Sequence, residues 1–120
     1  MVEEYYIPHR GDIVWIDFDP QAGREQSGRR PALVLSHREY NERTHLMILC
    51  PITSQEKLYP FIVALPRDLL PKPSFVLSDQ VKNLDWTKRN IAFLATAPEK
   101  FVMAVTTFSI GIMSGAHGIG

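Results

Sequence analysis

The chain has 120 residues, 45% of them hydrophobic and 22% charged, with 13 basic and 13 acidic side chains and a formal net charge of zero. That length suits a single domain and is short for two. The balance excludes a disordered chain, which would be poorer in aromatics and richer in net charge, and a passive nucleic-acid coat, which would carry a strong basic excess.

The chain opens on Met1-Val2-Glu3-Glu4-Tyr5-Tyr6, which has neither the basic start nor the apolar core of a signal peptide. Ile13 to Phe18, rich in β-branched and aromatic residues, reads as a first strand. A polar loop holding Gly23 and Gly28 follows. Pro31 to Ser36 reads as a second strand and, being apolar on both faces, a central one. His37 to Thr44 is polar and suits a short helical turn. Leu46 to Thr53 reads as a third strand and Phe61 to Leu65 as a fourth, separated by a turn around Gln55-Glu56-Lys57-Leu58. Arg67 to Pro73 is a proline-punctuated loop, and Phe75 to Ser78 with the stretch after it reads as further strand.

The region after Pro98 carries two competing signals. Pro98-Glu99 suits a helix start, with Phe101, Val105 and Phe108 at spacings of four and three. Against this, Phe108, Ile110 and Ile112 alternate with Ser109 and Gly111, as in a strand. The expected domain is 1–113, with 114–120 as a flexible tail. Several short strands at close spacing predict a mainly β fold, a small antiparallel barrel or sandwich with short helices. No apolar run reaches the length of a membrane span.

The chemistry narrows by what is missing. The single cysteine, Cys50, lies in the apolar run Met47-Ile48-Leu49-Cys50, so it reads as an inert buried thiol, and a reducing cytosol fits. The four histidines do not fall at metal-ligand spacing, and there is no paired-cysteine motif, phosphate-cradling loop or G-x-S-x-G elbow. Asp12, Asp17 and Asp19 form the only dense acidic group and read as a solvated strand end. No metal and no cofactor are expected.

The informative segment is Gly11-Asp12-Ile13-Val14-Trp15-Ile16-Asp17-Phe18-Asp19-Pro20, then Gly23-Arg24-Glu25-Gln26-Ser27-Gly28-Arg29-Arg30-Pro31, then an apolar strand ending at Leu35-Ser36. It resembles the N-terminal signature of the MazF/PemK/Kid toxins: a G-D-hydrophobic-strand opening and a G-x-E-Q-x-G-x-R-P loop. The resemblance continues in order through Pro51-Ile52-Thr53-Ser54-Gln55, Tyr59-Pro60-Phe61 and Asp79-Gln80-Val81-Lys82. From Phe101 the match fades: the family closes with a charged amphipathic helix, whereas here Lys100 is the last charge.

The resemblance implies a small SH3-like β-barrel of the MazF/CcdB kind with a C-terminal helix. It also implies a cytoplasmic homodimer, sequence-selective cleavage of single-stranded mRNA, and neutralisation by a MazE-like antitoxin. In the family pattern the catalytic residues fall on Arg30, Thr53 and Glu25, and the RNA contacts on Asp17, Phe18, Ser54, Gln55, Lys57, Gln80 and Lys82.

The residues carry a chemistry of their own. Metal-free RNA cleavage uses the ribose 2′-OH, which attacks the adjacent phosphate. It needs a base, a cation against the phosphorane charge, and an acid for the leaving oxygen. Arg30 suits the cationic role, because its planar fork matches phosphate geometry and Pro31 holds its backbone extended. Thr53 could place a hydroxyl on the phosphate, and Glu25 could act as base. Taken alone, Glu25 and Arg30 could equally form an exposed ion pair, and Thr53 could serve β-propensity. Phe18, Trp15 and Tyr59 are aromatics able to stack bases, although Trp15, alternating with Ile13 and Asp17, is assigned to the core. Two other functions use the same architecture: a non-enzymatic toxin like the CcdB-like gyrase poisons, which lack the loop pattern, and a catalytically inactive RNA-binding module.

Overall fold

A computed structural model describes residues 5–18, 28–56 and 60–115. The elements run β1 (Asp12–Phe18), β2 (Gly28–Val34), α1 (Arg38–Thr44), β3 (Leu46–Thr53), β4 (Ile62–Ala64), β5 (Phe75–Leu77), β6 (Lys82–Asp85), a 3-10 turn (Trp86–Lys88), β7 (Ala92–Thr96) and α2 (Glu99–Ser114). The strands form one antiparallel sheet in the order β4-β5-β3-β2-β1-β7, with β6 branching from β3. No ladder joins β4 to β7 among the described residues, so the expected barrel is an open one.

β3 is the hub. Leu46 to Leu49 pair with β6, Leu49 to Pro51 with β2, and Ile52 and Thr53 with β5. The ladder between β2 and β3 stops at Ala32↔Pro51. Pro31 and Pro51 have no N–H to donate, so a ladder is hard to extend past this point. The strands part there, and β3 goes on to pair with β5.

The sheet is covered on both faces. On one face Ile13, Leu33, Cys50 and Ile52 pack under Val102 and Val105 of α2. On the other, Val14, Ile16, Phe18, Ala32, Val34, Met47 and Leu49 form a second core, closed by Tyr6, Leu84, Trp86 and Ile91. Strand alternation produces this division, since successive residues of β1 and β2 face opposite sides.

The region after Pro98 is a helix. Val102, Val105 and Ser109 supply its buried stripe, while Ile110 and Ile112 are exposed, so the strand-like alternation has no structural counterpart. Three side chains fasten α2. Arg10 donates to the Leu35 carbonyl at 2.7 Å and to Thr106 Oγ1 at 3.1 Å, and Ser109 Oγ donates to the Ser78 carbonyl at 2.8 Å. The helix runs through Ser114, one residue past the expected domain edge, and Gly115 caps it at a left-handed φ of 75°. Residues 116–120 of the expected tail lie outside the described residues.

Trp86 is structural. Its Nε1 donates to the Asn41 carbonyl at 2.9 Å, and its ring meets His45 edge-on at 6.2 Å. Cys50 is fully buried, as its apolar run predicts, and burial pushes its thiol up to about 12. No helix among the described residues is long and apolar enough to cross a membrane.

Candidate active site

The split between β2 and β3 creates the site. Arg30 and Thr53 each stand two residues beyond the last rung, Ala32↔Pro51, one on either strand. Both line a cavity of about 410 Å³, together with Ser54 from the end of β3. Arg30 lies across from the fully buried Ile16 on β1, so its stem starts from a packed part of the sheet. Thr53 is 5% exposed, and its Oγ1 accepts a hydrogen bond from the Gln55 backbone N–H at 3.2 Å. A hydroxyl that accepts one bond keeps its proton to donate. The pair thus offers a permanent cation and an oriented hydroxyl to one anionic group.

The remaining wall comes from parts of the chain that the sequence reading did not connect with the site. Leu70, Pro71, Lys72 and Ser74 come from the proline-punctuated loop and its end, and Leu94 from β7. Leu94 gets there through a bulge: Ile13 pairs with Ala95 but Val14 with Phe93, so Leu94 is the extra residue. Arg29, Arg30 and Lys72 are the charged residues of the lining, and Arg29 is ion-paired with Asp17 at 3.0 Å.

Trp15 also lines this cavity and is 37% exposed, which corrects its assignment to the core. The alternation that buries Ile13 does put Trp15 on the same face, but α2 covers only the Ile13 end of the strand. Phe18 is 6% exposed and packs in the second core with Val14 and Ile16.

The other predicted contacts divide. Asp17 takes Arg29 in an exposed ion pair at 3.0 Å, and Arg29 also donates to the Asn90 carbonyl at 2.8 Å. Asp17 and Phe18 line a second cavity of about 260 Å³ with Asp85, Lys88 and Arg89. Hydrogen bonds from Thr87, the hydroxyl first, hold the Asp85 carboxyl below its usual range. Gln55 is exposed, and its backbone N–H reaches the site at Thr53 Oγ1. Gln80, in the turn after β5, and Lys82, paired with Leu49 at the start of β6, line neither cavity. Glu25, Lys57 and Tyr59 lie outside the described residues. Among the described residues no group of three His, Cys, Asp or Glu side chains could hold a metal ion.

The sequence and the fold both have known relatives. Residues 9–107 match the family model of the PemK-like, MazF-like toxin of type II toxin-antitoxin systems. The chain is 44% identical over 96 residues to the endoribonuclease toxin MazF of Escherichia coli K12, covering 79% of this chain and 85% of that one. Its fold is similar to the crystal structure of MazF from Deinococcus radiodurans, with a TM-score of 0.85, 47% identity, and coverage of 92% of this chain and 99% of that one. A MazE–MazF crystal structure from the same organism matches with a TM-score of 0.80 and 47% identity, over 92% of this chain and 98% of that one. The chain belongs to the PemK-like, MazF-like toxin family of type II toxin-antitoxin systems.

Proposed function

We propose that the chain is a toxin endoribonuclease that cuts single-stranded RNA at the cavity shared by Arg30 and Thr53. The observation that carries this reading is their convergence on one cavity whose charged lining is cationic. The endoribonuclease named among its relatives supports it.

In the proposed reaction the 2′-oxygen of the nucleotide before the cut forms a bond to the phosphorus, and the bond to the 5′-oxygen of the next nucleotide breaks. The products are a 2′,3′-cyclic phosphate and a 5′-OH. Arg30 stabilises the charge that accumulates on the phosphorane oxygens. Thr53 donates a hydrogen bond from its hydroxyl to a phosphate oxygen. Glu25 takes the 2′-OH proton, and water supplies a proton to the leaving 5′-oxygen. An intramolecular nucleophile suits this chemistry, because its effective concentration is very high. Ser54, at the cavity, and Gln55, Lys57, Gln80, Lys82, Asp17 and Phe18 are proposed to bear on the RNA strand around it.

The same reading includes a MazE-like antitoxin as partner, as in the MazE–MazF structure of a relative. It places the protein in the cytoplasm as a homodimer. Met103, Ile110 and Met113 support a dimer: they lie on one stripe of α2 and are 50%, 55% and 71% exposed, an apolar surface that a second copy would cover.

Incubating the purified protein with a long single-stranded RNA in the presence of a chelator tests the function. Discrete cuts with 2′,3′-cyclic phosphate ends are expected. Intact RNA, or cutting that requires added Mg²⁺, would contradict the reading.

A further inference from the structure

The cavity has two unlike walls, and transphosphorylation uses only one of them. Arg30, Thr53 and Lys72 supply cationic and hydroxyl groups, whereas Trp15, Leu94 and Pro71 supply apolar surface. A phosphate has nothing to gain from an indole. A nucleotide does, because it joins an anionic group to a flat, weakly polar ring.

Trp15 is unusual within its own strand. Ile13, Val14 and Ile16 are fully buried and Phe18 is 6% exposed, yet the largest side chain of β1 is 37% exposed. Its cross-strand partners are Pro31 on one side and Ala92 on the other, both small, so neither overhangs the indole. The indole and Arg30 line the same cavity. The bulge in β7 adds Leu94 to the same face.

We infer that Trp15 and Lys72 form a nucleotide subsite beside the scissile phosphate, in which a base of the RNA stacks on Trp15 and Lys72 bears on a neighbouring phosphate. This rests on the proposed ribonuclease activity and adds to it the residue that grips a base. The cationic side chains on the rim favour a polyanionic strand as occupant over an apolar peptide. Stacking makes the grip tolerant of base identity, since every base presents a π-face.

Trp15 is also its own reporter. Of the two tryptophans, Trp86 is fixed by its bond to the Asn41 carbonyl and its contact with His45, away from this cavity. Once a cut site is mapped, an oligonucleotide carrying one 2′-deoxyribose at that site serves as an uncleaved probe. Titrating it into the full-length protein should change the tryptophan emission, and Trp15→Phe should remove that change.

Trp15→Ala should raise KM for cleavable RNA on the order of 10- to 100-fold, more than it lowers kcat. Trp15→Phe, which keeps a ring, should recover most of that loss. Lys72→Ala should flatten the salt dependence of binding by about 0.7 in slope, the value for one phosphate of a single strand. Because Trp15 is partly exposed, far-UV dichroism and thermal melting of the variants should match the wild type.

A wild-type protein that cuts RNA while Trp15→Ala keeps its KM and cut-site pattern would overturn this inference and leave the ribonuclease reading standing. So would emission that stays constant at saturating probe. If Trp15→Ala cuts normally but escapes inhibition by the cognate antitoxin, the apolar wall is a protein dock and the inference fails. If the wild type cuts no RNA, the underlying reading fails with it.

Discussion

Replacing Thr53 by valine separates the chemistry of its hydroxyl from the packing of its side chain. Valine has nearly the same shape, and Thr53 is 5% exposed. The structural loss is one hydrogen bond, from the Gln55 N–H at 3.2 Å, and Gln55 is itself exposed, so water can take that donor. The stability cost should therefore stay within about 1 kcal/mol. The functional loss is larger, because a hydrogen bond to a charged oxygen contributes about 1.5–3 kcal/mol. If it acts in the transition state, kcat/KM should fall about 10- to 150-fold. Thr53→Ser keeps the hydroxyl and removes a buried methyl, which costs about 1 kcal/mol of stability but should leave the rate within a few-fold of wild type. Single-turnover cleavage of a fluorophore–quencher RNA, alongside urea denaturation, measures both quantities. A valine variant that cuts within about twofold of wild type would refute the catalytic hydroxyl. A valine variant that loses several kcal/mol of stability would make Thr53 a structural residue.

Arg30→Ala should lower the cleavage rate by about 10²–10³, and Arg30→Lys should not restore it, because an ammonium cannot form the bidentate fork; either variant cutting at the wild-type rate would contradict the assignment. Light scattering at micromolar concentration should give twice the 13.7 kDa chain mass, and Ile110→Glu on the exposed stripe of α2 should shift it toward the monomer; a monomeric wild type would contradict the dimer. Cys50, with its thiol raised from 9.0 to about 12 by burial, stays protonated in the folded protein while the unfolded chain ionises, so this residue should lower stability as pH climbs from about 9 to about 12. Comparing urea midpoints of wild type and Cys50→Ala across that window tests it, and an identical pH dependence would contradict it. At neutral pH the same thiol should react with a thiol reagent only after denaturation.

Local sequence pattern revealed the elements whose partners are close in the chain. The β-branched runs of β1 and β3 and the polar α1 emerge with edges near those expected, because alternation and length identify them. Arg30 and Thr53 stand out for a different reason: each sits in an ordered motif of the family resemblance. The rest of the site depends on contacts that no local pattern encodes. Lys72 reads as one lysine in a loop until that loop folds beside β3. Leu94 enters through a bulge, which shifts a face by one residue without altering composition. Trp15 is more exposed than expected because alternation tells which residues share a face, not how far α2 extends over that face. The same limit applies to Ile110 and Ile112, whose alternation mimics a strand within a helix set by Val102, Val105 and Ser109.

The central claim is that Arg30 and Thr53 assist attack by the RNA's own 2′-OH, and one substrate tests it most directly. An oligonucleotide with a single deoxyribose on the 5′ side of the mapped scissile phosphate retains the phosphate, the bases and every other hydroxyl. Presented to the wild-type protein beside its all-ribose twin, it should bind with similar affinity and remain intact over times in which the twin is cut to completion. Cleavage of the deoxy substrate at an ordinary rate would mean that water is the nucleophile and would contradict the mechanism proposed for this site.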